Sequence, residues 1–178
     1  MIGIINSQDT GNEAEAIRQV VEYFGCQTIL YKVGRPMDFI NVLNGNNRLE
    51  NIRFLVICGH GVNQRFVMPQ LAEDVYIENE PKTDIGIELL EEHAQFQNQI
   101  IMTTGCNLAE LGTIILQKGA DAYIAPTDYI DGNAGLQFVV RFFYELLQNQ
   151  RSIRQAFQLA KTIDKETGLF KLYNKQNK

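Results

Sequence analysis

One thiol and one imidazole in this chain sit where a protein can use them. Residues 52–61 read Ile-Arg-Phe-Leu-Val-Ile-Cys-Gly-His-Gly, an apolar run ending in Gly59-His60-Gly61. Residues 99–106 read Gln-Ile-Ile-Met-Thr-Thr-Gly-Cys, a second apolar run ending in Gly105-Cys106. Each run has the make-up of a buried strand, so each presents one reactive side chain at a strand's carboxyl end. A thiol beside an imidazole is a nucleophile with its acid–base partner: sulfur attacks a carbonyl, and the imidazole moves the proton. The flanking glycines suit that use. Gly105 lets a substrate carbonyl come close to the backbone. Gly59 and Gly61 expose the imidazole and leave backbone N–H groups free for a developing oxyanion. A helix is expected straight after Cys106, and its amino-terminal N–H groups would stabilise a thiolate. Singly, each residue has a plainer reading, since a free cysteine is usually a small buried apolar group and a lone strand histidine is usually structural. The pairing at two strand ends tips the reading towards function.

The other candidates carry less. Cys58 lies inside its strand run, and Cys26 is isolated, so both read as structural. His93 follows Glu91-Glu92 on an expected helix and reads as a surface residue. Three cysteines at irregular spacing form no C-x-x-C pair and no disulfide framework, and neither histidine fits a zinc spacing. No metal site, calcium loop, P-loop or Gly-x-Gly-x-x-Gly run is present, so no cofactor is expected.

The bulk of the chain fits a water-facing enzyme or binding module. Its 178 residues suffice for a full core; 45% are hydrophobic and 21% charged. A net charge of −5 with no basic stripe argues against nucleic acid as a partner. No apolar run approaches the about 20 residues of a membrane span, so no membrane association is expected. Met1-Ile2-Gly3-Ile4-Ile5-Asn6 reads as a first strand and not as a leader, which predicts a cytoplasmic location.

The elements that must hold the pair follow from periodicity. Strands are expected over 2–6, 28–33, 53–58, 100–104 and 122–125, with helices between them. Ile17, Val20, Val21 and Phe24 give the first helical stripe, closed by Gly25; Pro36 opens the second helix. Asp84 is expected to cap a helix carrying Leu89 and Leu90, and Ser152 with Gln155 to form a capping box. Alternating β and α units with continuous apolar strands predict a mostly parallel sheet of about five or six strands, covered on both faces. The strands starting near Arg53 and Ile100 should be neighbours. Residues 62–83, broken by Pro69 and Pro81, are expected to lie over the carboxyl edge and border the His60–Cys106 cleft. Residues 1–170 are read as one domain, and 171–178 as a polar, frayed tail.

Histidine first and cysteine later, each at a strand end followed or preceded by glycine, resembles the caspase-like cysteine peptidases of clan CD, including CHAT domains. The likeness extends to Gly119-Ala120, the strand over Ala122–Ala125, and the helices over 138–147 and 153–160. It implies a three-layer α/β/α sandwich. It implies Cys106 as nucleophile, His60 as acid–base, and the amides of Gly61 and Cys106 as oxyanion donors. It also implies a peptide or protein substrate. The chain departs from the pattern at Thr104, where many members carry an acid, and it lacks the Gln-Ala-Cys run of caspases. Thr104 and Gly105 are expected to touch substrate. Asp9 follows the first strand, where family members often place a pocket residue, and Asp128 and Asp131 follow the fifth. Carboxylates there would favour a cationic substrate group, or simply cap helices and turns. The alternative reading is a caspase-like module without catalysis that binds a protein or small ligand. A glutamine-amidotransferase relative would place its nucleophile before its histidine, the reverse of the order here. An oligomer is possible on this sequence, and nothing in it fixes the state.

Overall fold

The computed structural model describes residues 1–7 and 10–175. In chain order it contains β1 (Ile2–Asn6), α1 (Glu13–Tyr23), β2 (Thr28–Lys32), α2 (Pro36–Leu43) and β3 (Phe54–Cys58). Then come β4 (Gly61–Val62), β5 (Arg65–Phe66), α3 (Ile87–His93), β6 (Ile100–Thr103), α4 (Gly112–Gln117) and β7 (Ala122–Pro126). The chain closes with α5 (Gly132–Phe143), α6 (Ile153–Ala160) and β8 (Phe170–Asn174). Six strands form one sheet in the order β2-β1-β3-β6-β7-β8, and all neighbours run parallel except β7 and β8. β3 and β6 are adjacent, in the register Ile57↔Thr103, as their apolar runs predict.

Side chains alternate across this sheet, so one face and then the other receives each residue. Leu55, Ile57, Ile101 and Tyr123 pack with α2, α3 and α4 on one face. Val56, Cys58, Met102 and Ile124 pack with α1, α5 and α6 on the other. Both faces of the central strands are therefore covered, which is why those strands are apolar throughout. Local signals act where the sequence places them. Gly25 (φ +88°) and Gly119 (φ +106°) adopt the left-handed conformation that ends a helix. Ser152 and Gln155 make the capping box of α6. Among the described residues, no helix is long and apolar enough to cross a membrane.

Three expectations are corrected. The supposed frayed tail contributes β8, whose Phe170 ring stacks on Phe138 with centroids 3.8 Å apart. The pattern Phe-Lys-Leu-Tyr-Asn alternates, as a half-buried edge strand does, although its polar positions read as a tail. Asp84 does not cap α3, whose N-cap is Gly86; its Oδ1 instead accepts a hydrogen bond from the Met68 amide at 2.9 Å. The excursion over 62–83 leaves from the carboxyl edge but turns away from the cleft. Asn63 and Gln64, both at positive φ, close the tight β4–β5 turn. Phe66 then buries against Phe39 of α2, ring centroids 5.2 Å apart. Further on, the buried Glu80 carboxylate accepts from Arg35 (Nε–Oε1 3.0 Å) and from the amides of Met37 (2.9 Å) and Ile77 (3.1 Å). The excursion thus straps the amino end of α2.

Candidate active site

His60 and Cys106 leave the sheet at one edge because β3 and β6 are parallel neighbours in register. The Thr104 amide still donates to the Ile57 carbonyl at 3.1 Å, after which the two strand ends run side by side. Glycine allows this approach. A Cβ on Gly61 would overlap the Cys106 carbonyl oxygen, and one on Gly105 would come within 3.0 Å of the Gly59 carbonyl. Both glycines are buried beneath the edge, while His60 is exposed and Cys106 half-buried.

The turn carrying Cys106 is pinned by the loop after β7. Asn107 donates its amide to the Asp128 carbonyl (3.2 Å) and Leu108 to the Pro126 carbonyl (3.1 Å). The Ile130 amide points at the Cys106 sulfur at 3.5 Å. This arrangement corrects the expectation that a helix begins at Cys106. Asn107 takes a positive φ of 54°, a 3-10 turn spans Ala109–Leu111, and α4 begins only at Gly112. With the amides of 107 and 108 already used by carbonyls, α4 offers no amino terminus to the thiol; the Ile130 amide points at it instead.

His60 and Cys106 line one cavity of about 540 Å³. Gly59 and Thr104 also line it; one wall is the start of α1 (Asn12, Glu13, Ala16) and the other the start of α5 (Ile130, Asp131, Asn133, Leu136). Of the residues singled out from the sequence, it brings together Cys106, His60, Thr104 and Asp131. Gly61 and Gly105 lie behind this lining. Asp128 is exposed on the outer turn, its Oδ1 accepting from the Tyr129 amide at 2.8 Å, so it is not part of the cavity. Asp131 also caps α5, accepting from the Asn133 amide at 2.7 Å. Asp9 lies outside the described residues. No residue of the 62–83 excursion lines the cavity. Among the described residues, no group of three or more His, Cys, Asp or Glu is placed to hold a metal ion.

The residue that sequence reasoning missed is Glu13. Its Oε2 accepts from the Thr104 hydroxyl at 3.1 Å, while Oε1 is enclosed without a hydrogen-bond partner among the described residues. Burial pushes this carboxyl up to about 7, against the opposing pull of the Thr104 hydrogen bond and of His60. Beneath it, burial and then the nearness of Glu13 hold the Cys58 thiol well above its ordinary range. An acid in a helix's first turn is what the helix dipole favours, so Glu13 reads from sequence as an ordinary capping-region charge. Its contact with Thr104, 91 positions along the chain, has no local signal.

Several solved structures resemble the chain. No protein-family model and no curated protein matches the chain. The Arg-specific cysteine proteinase gingipain R superposes with a TM-score of 0.61 at 15% identity, over 94% of this chain and 43% of that one. The chain has a caspase-like fold. Saccharomyces cerevisiae separase, solved with securin, gives 0.62 at 12% identity over 97% of this chain and 11% of that chain. A secreted cysteine protease from Bacteroides thetaiotaomicron, solved with an irreversible peptide inhibitor, gives 0.57 at 10% over 97% and 65%. The chain therefore spans less than two thirds of each of these proteins. At such identities the caspase-like likeness is one of fold, and function must be argued from the site.

Proposed function

We propose that this chain is a cysteine peptidase with Cys106 as nucleophile and His60 as acid–base. The observation that carries the reading is the emergence of both side chains from adjacent parallel strands into one cavity. The Cys106 sulfur attacks the scissile carbonyl carbon, and the amides of Gly61 and Cys106 receive the oxyanion. As the tetrahedral intermediate collapses, the C–N bond breaks and His60 passes a proton to the departing amine. Water, deprotonated by His60, then attacks the thioester and releases the acid, returning the proton to the pair. Peptides with Lys or Arg at the cleaved position are the first substrates to try. Asp131 supports that choice, and so does the absence of Lys and Arg from the lining among the described residues. Caspase-like cysteine proteases among the solved structures give the reading its precedent.

The decisive measurement is labelling by a thiol-directed electrophile. Cys106 should react much faster than Cys58, which is fully buried, and faster than Cys26. His60→Ala should slow peptide hydrolysis, and Cys106→Ala should abolish it. Equal labelling of Cys106 and Cys26, unchanged by His60→Ala, would sink the proposal in favour of a module that only binds.

A further inference from the structure

We propose that Glu13 is the residue that selects a cationic side chain for this cavity, and that it does so only when ionised, so that the selectivity is switched by pH. The inference rests on reading the cavity as a peptide-binding site. Glu13 lines the cavity, and Thr104 holds one of its oxygens there. The other oxygen is enclosed and has no donor among the described residues. That oxygen is closed to solvent, so a guanidinium or ammonium in the cavity would meet the charge of the Glu13 carboxylate at the wall. Ala16, Ile130 and Leu136 line the same space and give a long methylene stem apolar surface to lie on.

The charged and titratable groups around Glu13 are few. From the end of β3 come His60 and, beneath, Cys58; from the end of β6 comes Cys106; from the start of α5 comes Asp131. On its own helix, Glu15 pairs with Arg18 at 2.8 Å. Among the described residues, no Lys or Arg lines the cavity, so an ionised Glu13 has no cation there among them beyond a protonated His60.

The sign follows from linkage. Burial keeps the carboxyl neutral below about 7. A cation binds the ionised form, so below that point each binding event expels one proton and affinity rises with pH; above it, affinity levels off. Between pH 6 and 8 the ionised fraction climbs from about 0.09 to about 0.91, a roughly tenfold gain in affinity for a cation and none for a neutral isostere. A protonated His60 repels a cation and so acts in the same direction, which the experiment must separate.

The experiment is calorimetry on the Cys106→Ala protein, which binds without turnover. It uses a capped tripeptide ending in arginine amide beside its citrulline counterpart, in buffers of different ionisation enthalpy. The expected result is a roughly tenfold gain for the arginine peptide from pH 6 to 8, with close to one proton released at pH 6. The citrulline peptide should show neither. Both effects should persist when His60→Ala is added and vanish with Glu13→Gln. Equal binding of the two peptides, no binding of either, or a preference that survives Glu13→Gln but falls in Asp131→Asn would overturn the assignment. Should Glu13→Gln fail to fold, proton release in the protein carrying both Cys106→Ala and His60→Ala decides alone, and its absence overturns the proposal. Electrophile labelling of Cys106 is independent of these titrations, so the peptidase reading and this one can fail separately.

Discussion

Replacing Glu80 by glutamine should loosen the strap that holds residues 67–83 to the amino end of α2 without touching the cavity. The Glu80 side chain is fully buried, and Arg35, its partner at 2.5 Å, is about one quarter exposed (0% and 26%). Hydrogen bonding from Arg35, with the amides of Met37 and Ile77, holds the carboxyl at about 2 against an ordinary 4.5. That difference corresponds to about 3 kcal/mol between the two protonation states. Discounting for the solvent that reaches Arg35 leaves about 2 kcal/mol. Because the folded-state value is depressed, this stability is fully present above pH 4.5 and is lost as pH falls through about 2. Glu80→Gln should therefore lower the urea midpoint at pH 7 by an amount equivalent to about 2 kcal/mol, at unchanged slope. The gap from the natural chain should narrow steadily below pH 4.5. Residues 67–83 should become the first site of limited proteolysis, since Glu80 and the Val75 carbonyl are what Arg35 grips. An unchanged midpoint at pH 7, or a gap that persists undiminished towards pH 2, would refute the account of the strap.

Other outcomes follow from the packing. Gly61→Ala should reduce hydrolysis by more than tenfold while the chain still folds. The new methyl must push the His60 strand end away from the Cys106 carbonyl and from Leu108 Cγ at 2.6 Å; peptide turnover and circular dichroism on the same sample check this. Phe170→Ala should destabilise by about 3–5 kcal/mol, the usual loss for a buried phenylalanine, because its ring is 1% exposed and stacked on Phe138. A shift under 1 kcal/mol in urea unfolding would mean that β8 is dispensable to the core.

What the sequence made legible was whatever depends on near neighbours. The strand runs at 2–6, 54–58 and 100–103 are apolar on both faces because helices cover both faces, and such runs are visible without knowing which helices do so. The Ser152–Gln155 box needs only three residues of context. That His60 and Cys106 line one cavity was legible for a related reason: two strand ends followed by glycine or cysteine mark one edge of a parallel sheet. The misreadings involve partners far apart in the chain. Asn107 and Leu108 give their amides to a loop about 20 residues on, which displaces the helix expected at Cys106. Glu80 reaches back 45 positions to Arg35, which takes the excursion away from the cleft. Glu13 looks like any acid at a helix start until Thr104 comes to meet it.

The antiparallel strand β8 has a consequence for the order in which the molecule acquires its chemistry. The loop that offers the Ile130 amide to sulfur is held from behind by later residues. The Leu169 carbonyl accepts from both the amide (3.0 Å) and the hydroxyl (2.9 Å) of Thr127, and the Asp131 amide donates to Glu166. During synthesis, His60 and Cys106 are in the chain before those residues exist. The sulfur's surroundings are finished only when 166–174 fold back along β7. A nascent chain would thus carry Cys106 long before it carries the residues that hold the Ile130 loop beside it. Electrophile labelling of a chain stopped at Phe157 should find Cys106 no more reactive than Cys26, and preferential labelling of Cys106 there would contradict this order.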